Sequence, residues 1–236
     1  MTPRFPPPGK TAAEDTAAVM KFYKLPFSFP REVMDEAKKL ANASVRAQNR
    51  LDLRKKFIFT CDPQSARDYD DALSLETDRH GNRVLGVHIA DVSHYVRPGS
   101  AIDREAYKRS TSVYLCDKVV PMLPEALCNG LCSLVPDEDR FAFSVFMTFD
   151  KKGEMIKRSF AKSIIRSKAR FTYEEVMKVI EGKRSKEQGV RSSRSSAKST
   201  RLRSNCGSGV STRVRSISKF PRRSRFSMRT KNSRDW

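Results

Sequence analysis

Residues 59–76, FTCDPQSARDYDDALSLE, contain four aspartates within ten positions, flanked by segments rich in residue types that are usually buried. These acids are Asp62, Asp68, Asp70 and Asp71. Four carboxylates this close repel one another unless a positive charge lies among them. Asp62 ends one apolar segment, and Asp71 runs directly into the next. The acidic loop therefore needs a partner for carboxylates that are buried or half-buried.

Two interpretations of the acidic loop follow from its residues alone. The first is an ordinary solvated loop. The second is a cation site, because carboxylate oxygens are the ligands that Mg²⁺ prefers. Five residues separate Asp62 from Asp68, enough for the chain to curl back, so that these two and one or both of Asp70 and Asp71 converge on one or two ions. A pair of such ions suits in-line phosphoryl chemistry. A calcium-binding EF-hand is excluded, because a loop starting at Asp68 lacks the required glycine and glutamate.

The hydrophobic pattern predicts an α+β fold, with an antiparallel-rich sheet and packed helices. Strands are predicted over 55–62, 72–77 and 83–96, forming a meander with the acidic loop at one end. The other predicted elements are helices over 30–46, 101–111, 124–132 and 171–182, and two strands over 140–150 and 155–167 joined by a tight turn. The last helix begins with a capping box of Thr172 and Glu175 and ends at Gly182.

Positive charge is concentrated at the end of the chain. The formal net charge is +20, and residues 183–236 hold 17 Lys and Arg residues against two acidic residues. Their apolar residues follow neither a helical nor a strand period, so this tail is predicted to be disordered. It is interpreted either as a basic arm that binds RNA phosphates or as sequence read out of frame from about residue 183.

The remaining composition narrows the class of protein. No run of apolar residues is long enough for a membrane span, and residues 1–21 lack a secretory signal and are predicted to form a flexible arm. The five cysteines indicate a reducing, cytoplasmic setting, and Cys128 with Cys132 lack two further ligands for zinc. His88 and His94 lie in or beside an apolar strand and are predicted to be structural.

The acidic pattern D-x5-D-x-D-D resembles the signature of the ribonuclease II and ribonuclease R family, most closely ribonuclease R. Residues 88–134, 166–176 and 25–37 also resemble segments of that family. The resemblance covers about residues 22–182. It implies an RNB-type catalytic domain of a 3′→5′ exoribonuclease that hydrolyses single-stranded RNA to nucleoside 5′-monophosphates. The implied cofactor is Mg²⁺, for which Mn²⁺ can substitute.

The resemblance also implies roles for individual residues. Asp62 and Asp71 correspond to magnesium ligands, and Asp68 and Asp70 to the two further acids that complete the metal site and position the terminal nucleotide. Asp70 corresponds to the acid most closely tied to cleavage. Tyr114 corresponds to the aromatic residue that stacks on the terminal base, a contact that tolerates any base.

The resemblance divides the chain into four parts: an arm over 1–21, a lead-in helical segment over 22–54, the first half of the RNB-type domain over 55–182, and the tail over 183–236. Single-stranded RNA is the expected partner, and protein partners are open. Two functions compete: an active Mg²⁺-dependent exoribonuclease, and a truncated remnant that binds RNA without hydrolysing it. A third, weaker hypothesis is a basic structural protein that binds through the tail.

Overall fold

The computed structural model describes residues 9, 11–41 and 49–181, and these contain five α-helices, one π-helix and nine strands. The helices are α1 (Ala12–Phe22), α2 (Arg31–Ala41), α3 (Val92–Tyr95), α4 (Ala101–Arg109), the π-helix Ala126–Leu131, and α5 (Tyr173–Ile180). The strands are β1 (Leu51–Asp52), β2 (Phe59–Asp62), β3 (Asp71–Thr77), β4 (Arg83–Ala90), β5 (Val113–Tyr114), β6 (Val119–Val120), β7 (Asp139–Phe149), β8 (Met155–Arg166) and β9 (Ala169–Thr172). No helix within these ranges is long and apolar enough to cross a bilayer.

Seven strands form one sheet in the order β1-β8-β7-β4-β3-β2-β9, and β5 pairs with β6 in a separate antiparallel ribbon. The large sheet is mixed: β2 runs antiparallel to β3, whereas β1 is parallel to β8 and β2 is parallel to β9. The predicted combination of a large sheet with packed helices is confirmed, and the two parallel pairings are what the sequence pattern did not reveal. Parallel neighbours come from distant parts of the chain, so no turn signal announces them.

The chain divides into two compact units. The described part of the second unit consists of two hairpin tips and α5, at residues 75–85, 147–158 and 174–181. Both tips turn at a glycine with positive φ, Gly81 and Gly153, as the turn residues predicted. In each tip an aspartate accepts hydrogen bonds from backbone N–H groups across the turn: Asp78 in the first and Asp150 in the second.

The first unit contains the main hydrophobic core and all of the predicted site residues. Helix α2 packs against α4 and the π-helix, and buries Val33 and Ala37, which lie one turn apart. Glu36 accepts a hydrogen bond from the backbone N–H of Ile102 at the start of α4. The most deeply buried apolar side chains of this core are those of Leu53, Ile58, Ala72, Ile102, Leu127, Leu134, Ala142, Ile164 and Ile165.

Helix α1 lies where the sequence analysis predicted a flexible arm over 1–21, and that prediction is wrong from Ala12 onward. The helix begins after Thr11, whose side chain accepts a hydrogen bond from a backbone N–H of the first turn. Met20 is buried, and the Thr16 hydroxyl donates to the carboxylate of Asp117. A long-range contact of this kind stabilises a short helix whose local pattern is weak.

Several predicted boundaries also change. The strand predicted over 83–96 ends at Ala90, after which α3 begins, because the polar side chain of Asp91 enters a buried ion pair there. The lead-in helical segment over 22–54 contains α2 but also β1, which pairs with β8. The end of the predicted helix over 30–46 and the basic tail over 183–236 lie outside the described residues.

Candidate active site

The acidic loop joins β2 and β3, which are neighbouring antiparallel strands of the large sheet. Strand β2 ends at Asp62 and β3 begins at Asp71, and the register pairs Phe59 with Leu73. This register carries the end of β2 and the start of β3 to the same level, with residues 63–70 between them. The four aspartates therefore lie within electrostatic reach of one another, as their spacing predicted.

Asp62 is the most buried of the four aspartates. Its exposed fraction is 8%, and its Oδ2 atom is buried without a hydrogen-bond partner. Burial is the main cause that raises the pKa of Asp62, and the negative charges of Asp71 and Asp68 raise it further. The Thr60 side chain and, to a smaller extent, the charge of Arg170 oppose this rise. A buried carboxylate oxygen without a partner is costly, so this position is suited to a cation that is bound from outside the chain.

Asp70 and Asp71 are exposed, and Asp68 is half-buried. Although Asp70 has an accessible surface, the protein atoms around it desolvate the carboxyl group and raise its pKa, as do the charges of Asp68, Asp71 and Asp62. The neighbouring acids thus make ionisation of Asp62 and Asp70 less favourable. The site is thus a concentration of negative charge that this part of the protein does not neutralise.

The convergence of three or more ligands on one ion, which the spacing suggested, is not preformed. Within the part of the chain that the structure describes, no three Asp, Glu, His or Cys side chains form a group suited to hold a metal ion. Mutual repulsion explains this separation, since carboxylates approach to ligand distances only around a cation. The donor set still fits a hard cation such as Mg²⁺, because it consists of carboxylate oxygens and includes one buried, unpartnered oxygen.

Tyr114, on the short strand β5, is linked directly to the acidic loop. Its phenol O–H donates to Asp68 Oδ2 at 2.7 Å, and this hydrogen bond raises the pKa of Tyr114 to about 12. The residue nevertheless remains 65% exposed. Sequence resemblance singled out both residues, and the structure brings them into contact across 46 positions of the chain.

Arg170, on β9, holds the first half of the acidic loop and was not identified from the sequence. Its Nη2 donates to the carbonyls of Pro63 at 3.0 Å and Gln64 at 2.7 Å. Its guanidinium lies over the ring of Tyr69, 5.2 Å from the centroid. More than 100 positions separate Arg170 from these carbonyls, so only the pairing of β9 with β2 reveals the contact.

Ser133 holds the second half of the loop and was also missed. Its hydroxyl contacts the backbone of Arg67 and Tyr69, on either side of Asp68. A serine in the segment after the π-helix has no local pattern that marks this function. The loop is therefore anchored at both ends by side chains from distant parts of the chain.

His88, on β4, and His94, on α3, lie in structural settings. His88 is fully buried and hydrogen-bonded through its two ring nitrogens to Ser144 at 2.7 Å and Ser74 at 3.0 Å. His94 lies 3.4 Å from Arg50, and burial together with this positive charge lowers its pKa. Neither environment favours proton transfer to a substrate, in agreement with the structural roles predicted for both residues.

Comparison with known proteins decides the family. The family model described as "RNB domain" matches residues 50–230. The chain belongs to the RNB-domain family. Ribonuclease R of Chlamydia pneumoniae is 49% identical over 176 residues, which are 74% of this chain and 26% of that protein.

Two solved structures extend the comparison to the fold. A ribonuclease R of Mycoplasma genitalium, in complex with ribose-methylated single-stranded RNA, matches with a TM-score of 0.69 at 34% identity, over 76% of this chain and 28% of that chain. Yeast Ssd1, a pseudonuclease, matches with a TM-score of 0.52 at 26% identity, over 60% of this chain and 17% of that chain.

The extent of the RNB match bears on the domain boundaries. The chain spans about a quarter of the length of the ribonuclease R relative that it matches. The matched residues 50–230 run past residue 182, at which the sequence analysis had ended the resemblance, and into the basic tail. The start of the match, at residue 50, agrees with the first strand of the large sheet, β1.

Proposed function

We propose that the acidic loop binds the 3′ end of single-stranded RNA and takes part in hydrolysis of the last phosphodiester, releasing a nucleoside 5′-monophosphate. The observation that carries this proposal is the buried, unpartnered oxygen of Asp62 beside three further aspartates. An anionic loop of this kind repels RNA phosphates unless a cation intervenes. The proposal therefore includes Mg²⁺, with Mn²⁺ as a substitute.

The four aspartates have different proposed roles at this site. Asp62 and Asp71 would hold the cation, with Asp68 and Asp70 completing its surroundings. A bound Mg²⁺ supplies positive charge that offsets the charge of the phosphodiester in the transition state. Asp70 is the proposed acid most closely tied to cleavage, because it occupies the corresponding position in the acidic pattern of the ribonuclease II and ribonuclease R family.

Tyr114 is the proposed platform for the terminal base. Its ring is largely exposed, and base–aromatic stacking does not depend on the identity of the base. The hydrogen bond to Asp68 orients the phenol from one end and leaves the ring available. Asp68 would thereby link the stacking position of the terminal base to the acidic loop.

Incubation of the purified chain with 5′-labelled single-stranded RNA and Mg²⁺ tests the proposal. We expect progressive shortening from the 3′ end, loss of shortening in Asp70→Asn, and unchanged shortening in Asp35→Asn. Asp35 is a matched control because it lies on α2, outside the acidic loop, and is half-exposed. Shortening that persists in Asp70→Asn, or that proceeds equally in EDTA, would refute the mechanism.

A second candidate function is RNA binding without hydrolysis. Two observations favour it: the similarity to the pseudonuclease Ssd1, and the lack of a preformed three-ligand group among the described residues. The same assay separates the two functions. Retention of labelled RNA at its full length, with affinity that does not depend on Mg²⁺, would support the binding protein and exclude the exoribonuclease.

A further inference from the structure

Ser133 makes an unusual pair of contacts with the acidic loop. Its side chain is fully buried. The hydroxyl accepts a hydrogen bond from the backbone N–H of Tyr69 at 3.1 Å and donates one to the backbone carbonyl of Arg67 at 2.8 Å. The two partners are the immediate neighbours of Asp68, so one hydroxyl holds the backbone on both sides of Asp68. Asp68 is the residue that accepts the hydrogen bond from Tyr114.

Ser133 is itself held in place, which is necessary if it is to fix another segment. The buried Arg140 donates from Nε to the Ser133 carbonyl at 2.8 Å, and the backbone N–H of Ser133 donates to Gly130 at the end of the π-helix. The next residue, Leu134, donates its backbone N–H to the carbonyl of Tyr69 at 2.9 Å. The anchor is thus a rigid segment of the core.

We propose that Ser133 is a positioning residue for the RNA 3′ end, holding Asp68 and, through it, the ring of Tyr114. This inference rests on the proposed stacking of the terminal base on Tyr114, but not on hydrolysis. Without the hydroxyl, the backbone loses the two hydrogen bonds that lie on either side of Asp68, and only the one from Leu134 to the Tyr69 carbonyl remains. The phenol of Tyr114 then loses a fixed acceptor, and a stacked base loses a fixed platform.

A general loss of stability is the alternative effect of removing a buried hydroxyl, and the protein contains a matched control. Ser144 is equally buried, and its hydroxyl also has two hydrogen-bond partners, which here are the side chains of His88 and Ser163. It contacts none of residues 67–69 in the hydrogen bonds of the described chain. Ser133→Ala and Ser144→Ala therefore remove the same group from equally buried positions, and only the first removes the hydrogen bonds on either side of Asp68.

The test measures binding of two RNA oligonucleotides in Mg²⁺ by fluorescence anisotropy, with the full chain, and the last linkage of each oligonucleotide is made non-hydrolysable. One oligonucleotide ends in a normal nucleotide, and the other ends in an abasic ribose. We expect the wild type and Ser144→Ala to bind the first at least about fivefold more tightly, the range of one stacked base. Ser133→Ala should bind both equally, and Ser133→Thr, which keeps a hydroxyl, should recover at least part of the preference.

Using a ratio of affinities removes the effect of a partly unfolded sample, because both oligonucleotides report on the same folded fraction. Thermal unfolding of each variant checks that a folded fraction is present. A preserved preference in Ser133→Ala, or an equal loss in Ser144→Ala, would overturn the proposal, as would a wild type without any preference. The hydrolysis assay tests the proposed exoribonuclease separately. A chain that does not hydrolyse RNA but keeps the binding preference refutes the exoribonuclease and leaves the role of Ser133 unaffected.

Discussion

Asp62 and Asp91 are two buried aspartates of the same unit with opposite surroundings. Asp91 is 5% exposed and accepts from Arg50 at 2.6 Å and from Ser93 at 2.8 Å. Burial alone would raise the pKa of Asp91, but these hydrogen bonds and the charge of Arg50 lower it. Asp62 has a similar exposure, an oxygen with no hydrogen-bond partner, and a raised pKa.

The difference separates a structural carboxylate from one that is open to a ligand. Arg50 also contacts Phe141 through its guanidinium, 4.2 Å from the ring centroid, so the ion pair with Asp91 is part of the core. Around Asp62 the nearby charges are mostly negative. Burial alone therefore says little about the function of an aspartate. The presence or absence of an internal cationic partner is the informative observation.

The largest expected effect is on the structural carboxylate. Asp91→Asn leaves the buried charge of Arg50 without its counter-charge, and we expect a loss of about 3–5 kcal/mol of unfolding free energy, measured with urea. Arg50→Met combined with Asp91→Asn should recover part of this loss, because no buried charge is left unpaired. A cost of Asp91→Asn no greater than that of Asp62→Asn would remove the distinction between the two aspartates.

A smaller effect is expected where the acidic loop is anchored. Arg170→Met removes the donor to the carbonyls of Pro63 and Gln64 and should cost about 1–3 kcal/mol, measured in the same urea titration. Arg166→Met is the control, since the Arg166 side chain is 42% exposed and its ion pair with Asp139 should contribute at most about 1 kcal/mol. Equal costs would mean that the loop does not depend on Arg170.

Replacing Asp62, whose buried oxygen is unpartnered, should change the unfolding free energy in the opposite direction. Without added cation, Asp62→Asn should stabilise the fold by about 1 kcal/mol, because a buried charge that lacks compensation is removed. Added Mg²⁺ should raise the urea midpoint of the wild type and leave that of Asp62→Asn unchanged. Stabilisation of both proteins by Mg²⁺ to the same extent would place the cation elsewhere.

The smallest effect is a difference in pH dependence. The folded pKa of Asp62 is raised, so the folded chain keeps a proton that the unfolded chain has released, and stability without cation falls as pH rises through that window. The folded pKa of Asp91 is lowered, so its contribution is present above the ordinary value of 3.8 and is lost as pH falls. Urea midpoints over about pH 3–7 for the wild type, Asp62→Asn and Asp91→Asn should show the two opposite slopes.

The regularity of the chain explains which elements were predictable. Strands β3 and β7 and helices α2 and α4 lie within segments that the sequence predicted as strands and helices, and each buries residues in the core. Helix α1 was missed because its stability comes from buried contacts such as that of Met20 rather than from a strong apolar stripe. The parallel pairing of β9 with β2 joins segments more than 100 residues apart and leaves no local signal.

The sequence alone shows acids at close spacing, ending one apolar strand and starting the next, and its motif identifies the RNB-domain family. That these acids hold a cation stays a prediction. Which carboxylate is compensated depends on groups distant along the chain: Arg50 reaches Asp91 across 41 positions, and Ser133 reaches the backbone beside Asp68 across 64 or more. Electrostatic and hydrogen-bond energies depend on distance in space, and folding alone sets those distances.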